Sequence, residues 1–137
     1  VYPYEGMGAI TGEYIGLEKF PVFVNTGVLQ AAEAIRITAT ERISFFNGFA
    51  AAPEVYLESP IVELFDDFFH ERVRTTVVAE RILSIKAEML VILGAEVNFP
   101  EETTIDTQTF ILGKLGETHF TSGLIKKAKK GCQIVQY

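Results

Sequence analysis

Hydrophobic and polar positions alternate most clearly from Ile35 to Phe45. Every second residue there reads Ile35, Ile37, Ala39, Glu41, Ile43 and Phe45, with Arg36, Thr38, Thr40, Arg42 and Ser44 between them. A period of two over eleven residues, broken once by Glu41 and rich in Ile and Thr, predicts a half-buried strand. Asn47-Gly48 follows as a turn dipeptide, and Ala50-Ala51-Ala52-Pro53 makes the connection looser than a two-residue hairpin. Alternation resumes from Val55 to Phe65, with Ser59-Pro60 interrupting it as a bulge or an edge. Asp66-Asp67 then marks a turn.

The segment from Phe69 to Leu93 carries two patterns at once. As a strand, Val77, Ala79, Leu83, Ile85, Ala87, Met89, Val91 and Leu93 share a face broken only by Arg81. As a helix, Ile82, Ile85, Met89, Ile92 and Leu93 form a stripe, and Glu, Lys, Ala, Met and Leu are good helix formers. The reading adopted is a long strand from about Arg72 to Ala87, followed by a short helical turn from Glu88 to Leu93 that ends at Gly94. Thr103 to Leu112 predicts another strand, ended by Gly113, with two more over Thr118–Thr121 and Gln133–Tyr137. Upstream, Phe20-Pro21-Val22-Phe23-Val24 suits an edge strand, and Asn25-Thr26-Gly27 a turn. Residues 1–18 hold four glycines among Tyr2, Tyr4 and Tyr14, a density that disfavours regular structure and predicts an extended N-terminal arm. No internal repeat and no domain boundary is read. The expectation is a single, mostly β domain over 1–137, a sandwich or barrel of six to seven strands with one short helix.

Composition adds a partner to this picture. Apolar residues make up 48% of the chain and the mean hydropathy is +0.23, high for a monomeric domain of 137 residues. Part of that apolar surface is expected to meet a partner, or else to be taken up by a Phe-rich core. No apolar run approaches the roughly 20 residues of a membrane-spanning helix, so no membrane is expected as a partner. The opening Val1-Tyr2-Pro3-Tyr4 lacks a basic stretch leading into an apolar one, and no signal peptide is read there. Net charge is −6, unevenly spread: residues 126–137 form a basic segment with Lys126, Lys127, Lys129 and Lys130 and no acid. The acidic body should repel nucleic acid, and the lysines read as a solvated end or as a docking tail for acidic surface.

Candidate chemistry is sparse. His70 and His119 are the only histidines, and no Gly-x-Ser-x-Gly elbow or phosphate-binding glycine loop is present. Asp66, Asp67, His70 and Glu71 lie close in sequence, but side chains diverging from a turn do not make a ligand set. His119 and Cys132 lack a third partner for a catalytic dyad. No catalytic residue, cofactor or metal is therefore expected, and the chain is read as a non-enzyme.

The order of these features resembles the tail tube proteins of long-tailed bacteriophages. The likeness rests on five stretches. A glycine-rich aromatic arm leads to Glu13-Tyr14-Ile15-Gly16, and the alternating strand Ala34–Glu41 follows. The second long strand Arg74–Ile85 runs into Glu88–Gly94, and Thr109-Phe110-Ile111-Leu112-Gly113 comes after it. The resemblance implies a β-sandwich subunit of stacked rings, located in the virion, or in the cytoplasm before assembly. It implies homo-oligomers, other virion proteins as partners, and DNA passing without specific binding. The interface residues expected for such assembly are Tyr2, Tyr4, Tyr14, Phe20, Phe23, Phe45, Phe46 and the four lysines. Two other readings stand beside it: a barrel that binds a small apolar ligand in a Phe-rich interior, and another virion or coat-layer protein.

Overall fold

A computed structural model of the chain describes residues 4–6, 9–66, 75–113 and 126–136. These residues are mostly β, as the alternation predicts, but every strand runs parallel to the strand it pairs with. The elements are β1 (Tyr4–Gly6), β2 (Ala9–Asn25), β3 (Val28–Phe46), β4 (Phe49–Glu58), β5 (Ile61–Phe65), β6 (Thr76–Leu93), β7 (Glu96–Asn98), β8 (Glu102–Gly113) and β9 (Gln133–Gln136). They form one nine-stranded sheet in which each stretch of chain pairs with the stretch one coil later. This is a parallel β-solenoid, and it replaces the expected sandwich or barrel. Among the described residues, no helix is long and apolar enough to cross a membrane.

A parallel pair cannot be closed by a two-residue hairpin; its crossover must be long enough to return the chain to the starting end. Here the crossover is the remainder of the coil. Each coil has three sides, visible in successive register partners. Side a stacks Ile10, Leu29, Ala50, Val77 and Val97. Side b stacks Ile15, Ile35, Val55, Leu83 and Thr103, and beside them Leu17, Ile37, Leu57, Ile85 and Ile105. Side c stacks Phe23, Ile43, Val62, Leu90, Phe110 and Ile134.

These columns are the core. Phe23, Ile35, Ile37, Ile43, Val55, Val62, Leu83, Leu90, Ile105 and Phe110 are all fully buried. Like side chains sit one above another at the spacing of paired strands, about 4.8 Å, which fills the interior without a second sheet. The inward positions of the Ile35–Phe45 alternation are as predicted: Ile35, Ile37, Ala39, Ile43 and Phe45 are buried, whereas Glu41 is exposed. The Phe-rich interior is thus packed by its own columns rather than left open as a barrel pocket.

A repeat of twenty positions underlies the coil, contrary to the reading of no repeat. Ile15, Ile35 and Val55 are spaced by twenty; Val55 to Leu83 takes twenty-eight, and Leu83 to Thr103 takes twenty again.

Three further expectations change. Glu88–Leu93 is strand, not helix, because Leu90 and Ile92 complete columns between Val62 and Phe110 and between Leu64 and Leu112. Packing in these columns outweighs the helix preference of Glu, Met and Leu. The inward face also changes phase there, from Ala87 to Leu90, leaving Met89 and Leu93 half-buried. Residues 9–18 are not an extended arm but the first part of β2, the outermost strand of the first coil. Asn47-Gly48, read as a loose turn, is a corner that leaves β3 and β4 parallel rather than doubling the chain back. The strand expected at Thr118–Thr121 lies outside the described residues.

The corner between sides c and a is polar and hydrogen-bonded between coils, although Asn47 Oδ1 is buried there without a partner among the described residues. Asn25, 1% exposed, donates from Nδ2 to the Phe49 carbonyl at 3.3 Å and accepts from the Gly27 amide at 3.0 Å. One coil on, Asn47 takes a left-handed φ of 56° and its amide donates to Thr75 Oγ1 at 2.6 Å. The Thr75 hydroxyl donates in turn to the Phe65 carbonyl. Amides of Phe49, Thr76 and Glu96 then bond the carbonyls of Gly27, Gly48 and Thr75, tying successive corners together.

Candidate functional site

The expected interface residues do not gather at one place. Tyr2 lies outside the described residues, and Tyr4 belongs to β1, in register with Phe23. Phe23 and Phe45 are fully buried inside their own coil, with ring centroids 6.5 Å apart, and Phe20 packs against Phe23 at 6.3 Å. Tyr14 and Phe46 do face outward, at 71% and 40% exposure.

The lysines behave differently from a free tail. Lys127 Nζ donates to the Glu101 carbonyl at 2.8 Å and lies 3.8 Å from its carboxylate. Lys129 Nζ lies 3.4 Å from Asp106, and its amide donates to the Ile105 carbonyl at 2.9 Å. Ala128 bridges Ile105 in parallel, and β9 covers β8 from Thr109 to Leu112. The basic segment is thereby folded onto its own last coil, over sides b and c. Lys126 and Lys130 are exposed there. Burial pushes the Cys132 thiol above its ordinary value at the same end.

The opposite end is open. Among the described residues, β1 pairs β2 only at Phe23–Asn25, so Ala9–Leu17 has a paired strand on one side alone, β3. The stretches Ala9-Ile10-Thr11-Gly12 and Tyr14-Ile15-Gly16-Leu17 carry no charge, whereas Glu18, Lys19 and Pro21 blunt the remainder. Space is also free there: a Cβ on Gly16 would meet nothing within 4 Å. An uncovered strand edge of this kind is a template for pairing with another strand.

A second feature runs along the outside. Where side b bends into side c, an open cleft of about 540 Å³ crosses the coils. Its b wall is the register column Thr38, Glu58, Lys86 and Asp106. Thr40, Pro60, Glu88 and Gln108 line it from the far side of the bend. Between the walls, Ala39, Ser59 and Ala87 are small, which lets the chain turn sharply and leaves a floor. Lys19 and Lys129 stand at its two ends. Its charges cancel: Lys19, Lys86 and Lys129 against Glu58, Glu88 and Asp106. Lys86 lies 3.8 Å from Glu58, an exposed and therefore weak pair. Floor amides are already committed, since Ser59 donates to the Lys86 carbonyl and both Glu88 and Met89 donate to the Pro60 carbonyl.

Sequence reasoning names Lys129 as an interface residue and Ser59-Pro60 as an interruption of a strand, but it does not bring the cleft residues together. The available signal was the twenty-position recurrence, which sets 38–40 beside 58–60 and, after the longer step, 86–88 beside 106–108. His70, His119, Asp67 and Glu71 lie outside the described residues, and among those described no group of three His, Cys, Asp or Glu is placed to hold a metal ion. Comparison with protein-family models, with curated proteins and with solved structures found no match to this chain.

Proposed function

We propose that the protein is a structural, self-assembling subunit that joins a second copy of itself through its first coil. The observation that carries this reading is the asymmetry of the two ends. Among the described residues, the last coil is met on side b at Ile105 by Ala128 and on side c by β9, while Ala9–Leu17 of the first coil pairs on one side only, with β3. Two such edges meeting across a two-fold axis bury the same surface on both partners and satisfy each other's backbone groups. Tyr14, the most exposed large apolar side chain among the described residues, lies on that edge and would be covered by the contact. The coil is not the sandwich that the tail-tube resemblance implies. The proposal therefore extends to assembly, and a tube or coat layer is one structure such a subunit would serve.

Light scattering of purified protein over a concentration series tests this. The expected result is a mass that rises to at least that of a dimer, and that returns to one chain in a Tyr14→Lys, Gly16→Lys double variant. Lysine on an edge strand opposes pairing, and both positions have room for it. A parent protein that stays a single chain at every concentration would overturn the reading, as would a double variant that assembles unchanged.

A further inference from the structure

We propose that the cleft at the bend between sides b and c binds a neutral, unbranched oligosaccharide laid along the solenoid axis. This inference does not rest on self-assembly, because the cleft runs along the flank of the coil and reaches the first-coil strand only at Lys19. Shape gives the first argument. From Lys19 to Lys129 the cleft crosses six successive coils, which at about 4.8 Å per step is about 24 Å, so its occupant is long and narrow. The volume of about 540 Å³ falls within the range of ligand sites.

Chemistry narrows the occupant. The formal charges on the lining sum to zero, so neither a polyanion such as nucleic acid nor a polycation gains from entering. The apolar residues of the lining are Ala39, Ala87 and Pro60, joined by the aliphatic stems of the lysines and the threonine methyls, a surface that suits the C–H faces of a sugar and is too small to hold a lipid chain. A peptide in β-conformation would look for free backbone groups, but Ser59, Glu88 and Met89 already use their amides between coils. What the walls do offer is side-chain hydrogen bonding at every coil: hydroxyls at Thr38 and Thr40, carboxylates at Glu58 and Asp106, an ammonium at Lys86 and an amide at Gln108. In the floor, Ser59 is 4% exposed and its hydroxyl has no hydrogen-bond partner among the described residues. Donors and acceptors repeating at each coil match a polymer whose hydroxyls also repeat, one unit after another. The Lys86–Glu58 pair is exposed and easily exchanged for ligand hydroxyls.

The test is an amide NMR titration with linear hexasaccharides of glucose, xylose, mannose and N-acetylglucosamine, followed by shorter members of any series that binds. The expected result is shifts confined to residues 38–40, 58–60, 86–88 and 106–108. Affinity should rise by about tenfold or more from disaccharide to pentasaccharide as further coils are engaged. A Glu58→Ala, Lys86→Ala double variant should lose about tenfold in affinity while its unfolding midpoint stays put, because the pair is exposed. Gln108→Ala, an exposed position, gives a second reading should the double variant fold poorly. The proposal is overturned if no hexasaccharide moves these amides at about 10 mM, a concentration that detects even millimolar binding. It is equally overturned if the shifts map elsewhere, or if a mixed-charge extended peptide moves these amides and no sugar does.

Discussion

Replacing Gly48 with Ala tests whether the coils are as tightly stacked at their c-to-a corner as the structure shows. A Cβ at Gly48 would lie 2.4 Å from the Asn25 carbonyl oxygen, 2.9 Å from Asn25 Nδ2 and 3.0 Å from the Asn25 carbonyl carbon. Ordinary contact requires Asn25 or Gly48 to retreat by ~1 Å. Asn25 has nowhere to go: it is 1% exposed and held to Phe49 and Gly27. Retreat of the Gly48 segment would stretch the bonds from Phe49 to Gly27, 2.8 Å, and from Thr76 to Gly48, 3.0 Å. Overpacking costs roughly 1–3 kcal/mol and a weakened backbone hydrogen bond about 1 kcal/mol, so the expected loss is about 2–4 kcal/mol. Gly16 supplies the control, since a methyl there meets nothing within 4 Å. Gly16→Ala should be neutral or stabilising by about 0.5 kcal/mol, through reduced freedom of the unfolded chain. Urea unfolding of both variants at one temperature measures the difference, and at typical slopes the Gly48→Ala midpoint should fall by about 1 M or more. A Gly48→Ala variant within about 0.5 kcal/mol of the parent, or equal losses at the two glycines, would refute the stacking argument.

Phe110→Ala should cost about 3–5 kcal/mol in the same assay, because Phe110 is fully buried in the side c column between Leu90 and Ile134; a loss near zero would mean the column collapses freely. Lys129→Ala should cost less than about 1 kcal/mol, and less still in high salt, since both Lys129 and Asp106 are partly exposed. A salt-independent loss would assign the end cover to backbone contacts instead. Cys132 should alkylate more slowly in the folded protein than in urea at the same mildly alkaline pH, because burial raises its pKa and keeps the thiol protonated. The corresponding contribution to stability is present below the unfolded-state pKa and fades as pH rises through the raised one. Equal alkylation rates would rule out that burial.

The strands were legible in the sequence and their arrangement was not. Alternation at Ile35–Phe45 identifies the inward face because burying one face of a pleated strand requires a period of two in any β fold. The same period, however, describes a hairpin and a coil equally well. Asn47-Gly48 favours the hairpin by local rules, and what overrides it is non-local: Val28 pairs with Phe49 and Thr76 with Glu96, pairings set by column packing. The recurrence that signals those pairings was visible at Ile15, Ile35 and Val55, then obscured by the longer step to Leu83. Phe23 and Phe45 were assigned to an interface because an aromatic count cannot distinguish a surplus from a core. In the coil, Phe23 and Phe45 fill inward columns and are fully buried. The cleft was harder still, since its residues are ordinary surface types made adjacent only by register.

The longer step has a consequence for how the molecule tolerates change. Between Phe65 and Thr76 the chain spends eight more positions than at the equivalent corner one coil earlier, yet Val55 still meets Leu83 and Val62 still meets Leu90. Alignment is restored by what lies on either side of the joint and owes nothing to the joint's length, because lengthening a connection costs only a logarithmic entropy. A still longer connection between Phe65 and Thr76 should accordingly leave the pairings of Val55 with Leu83 and of Val62 with Leu90 in place.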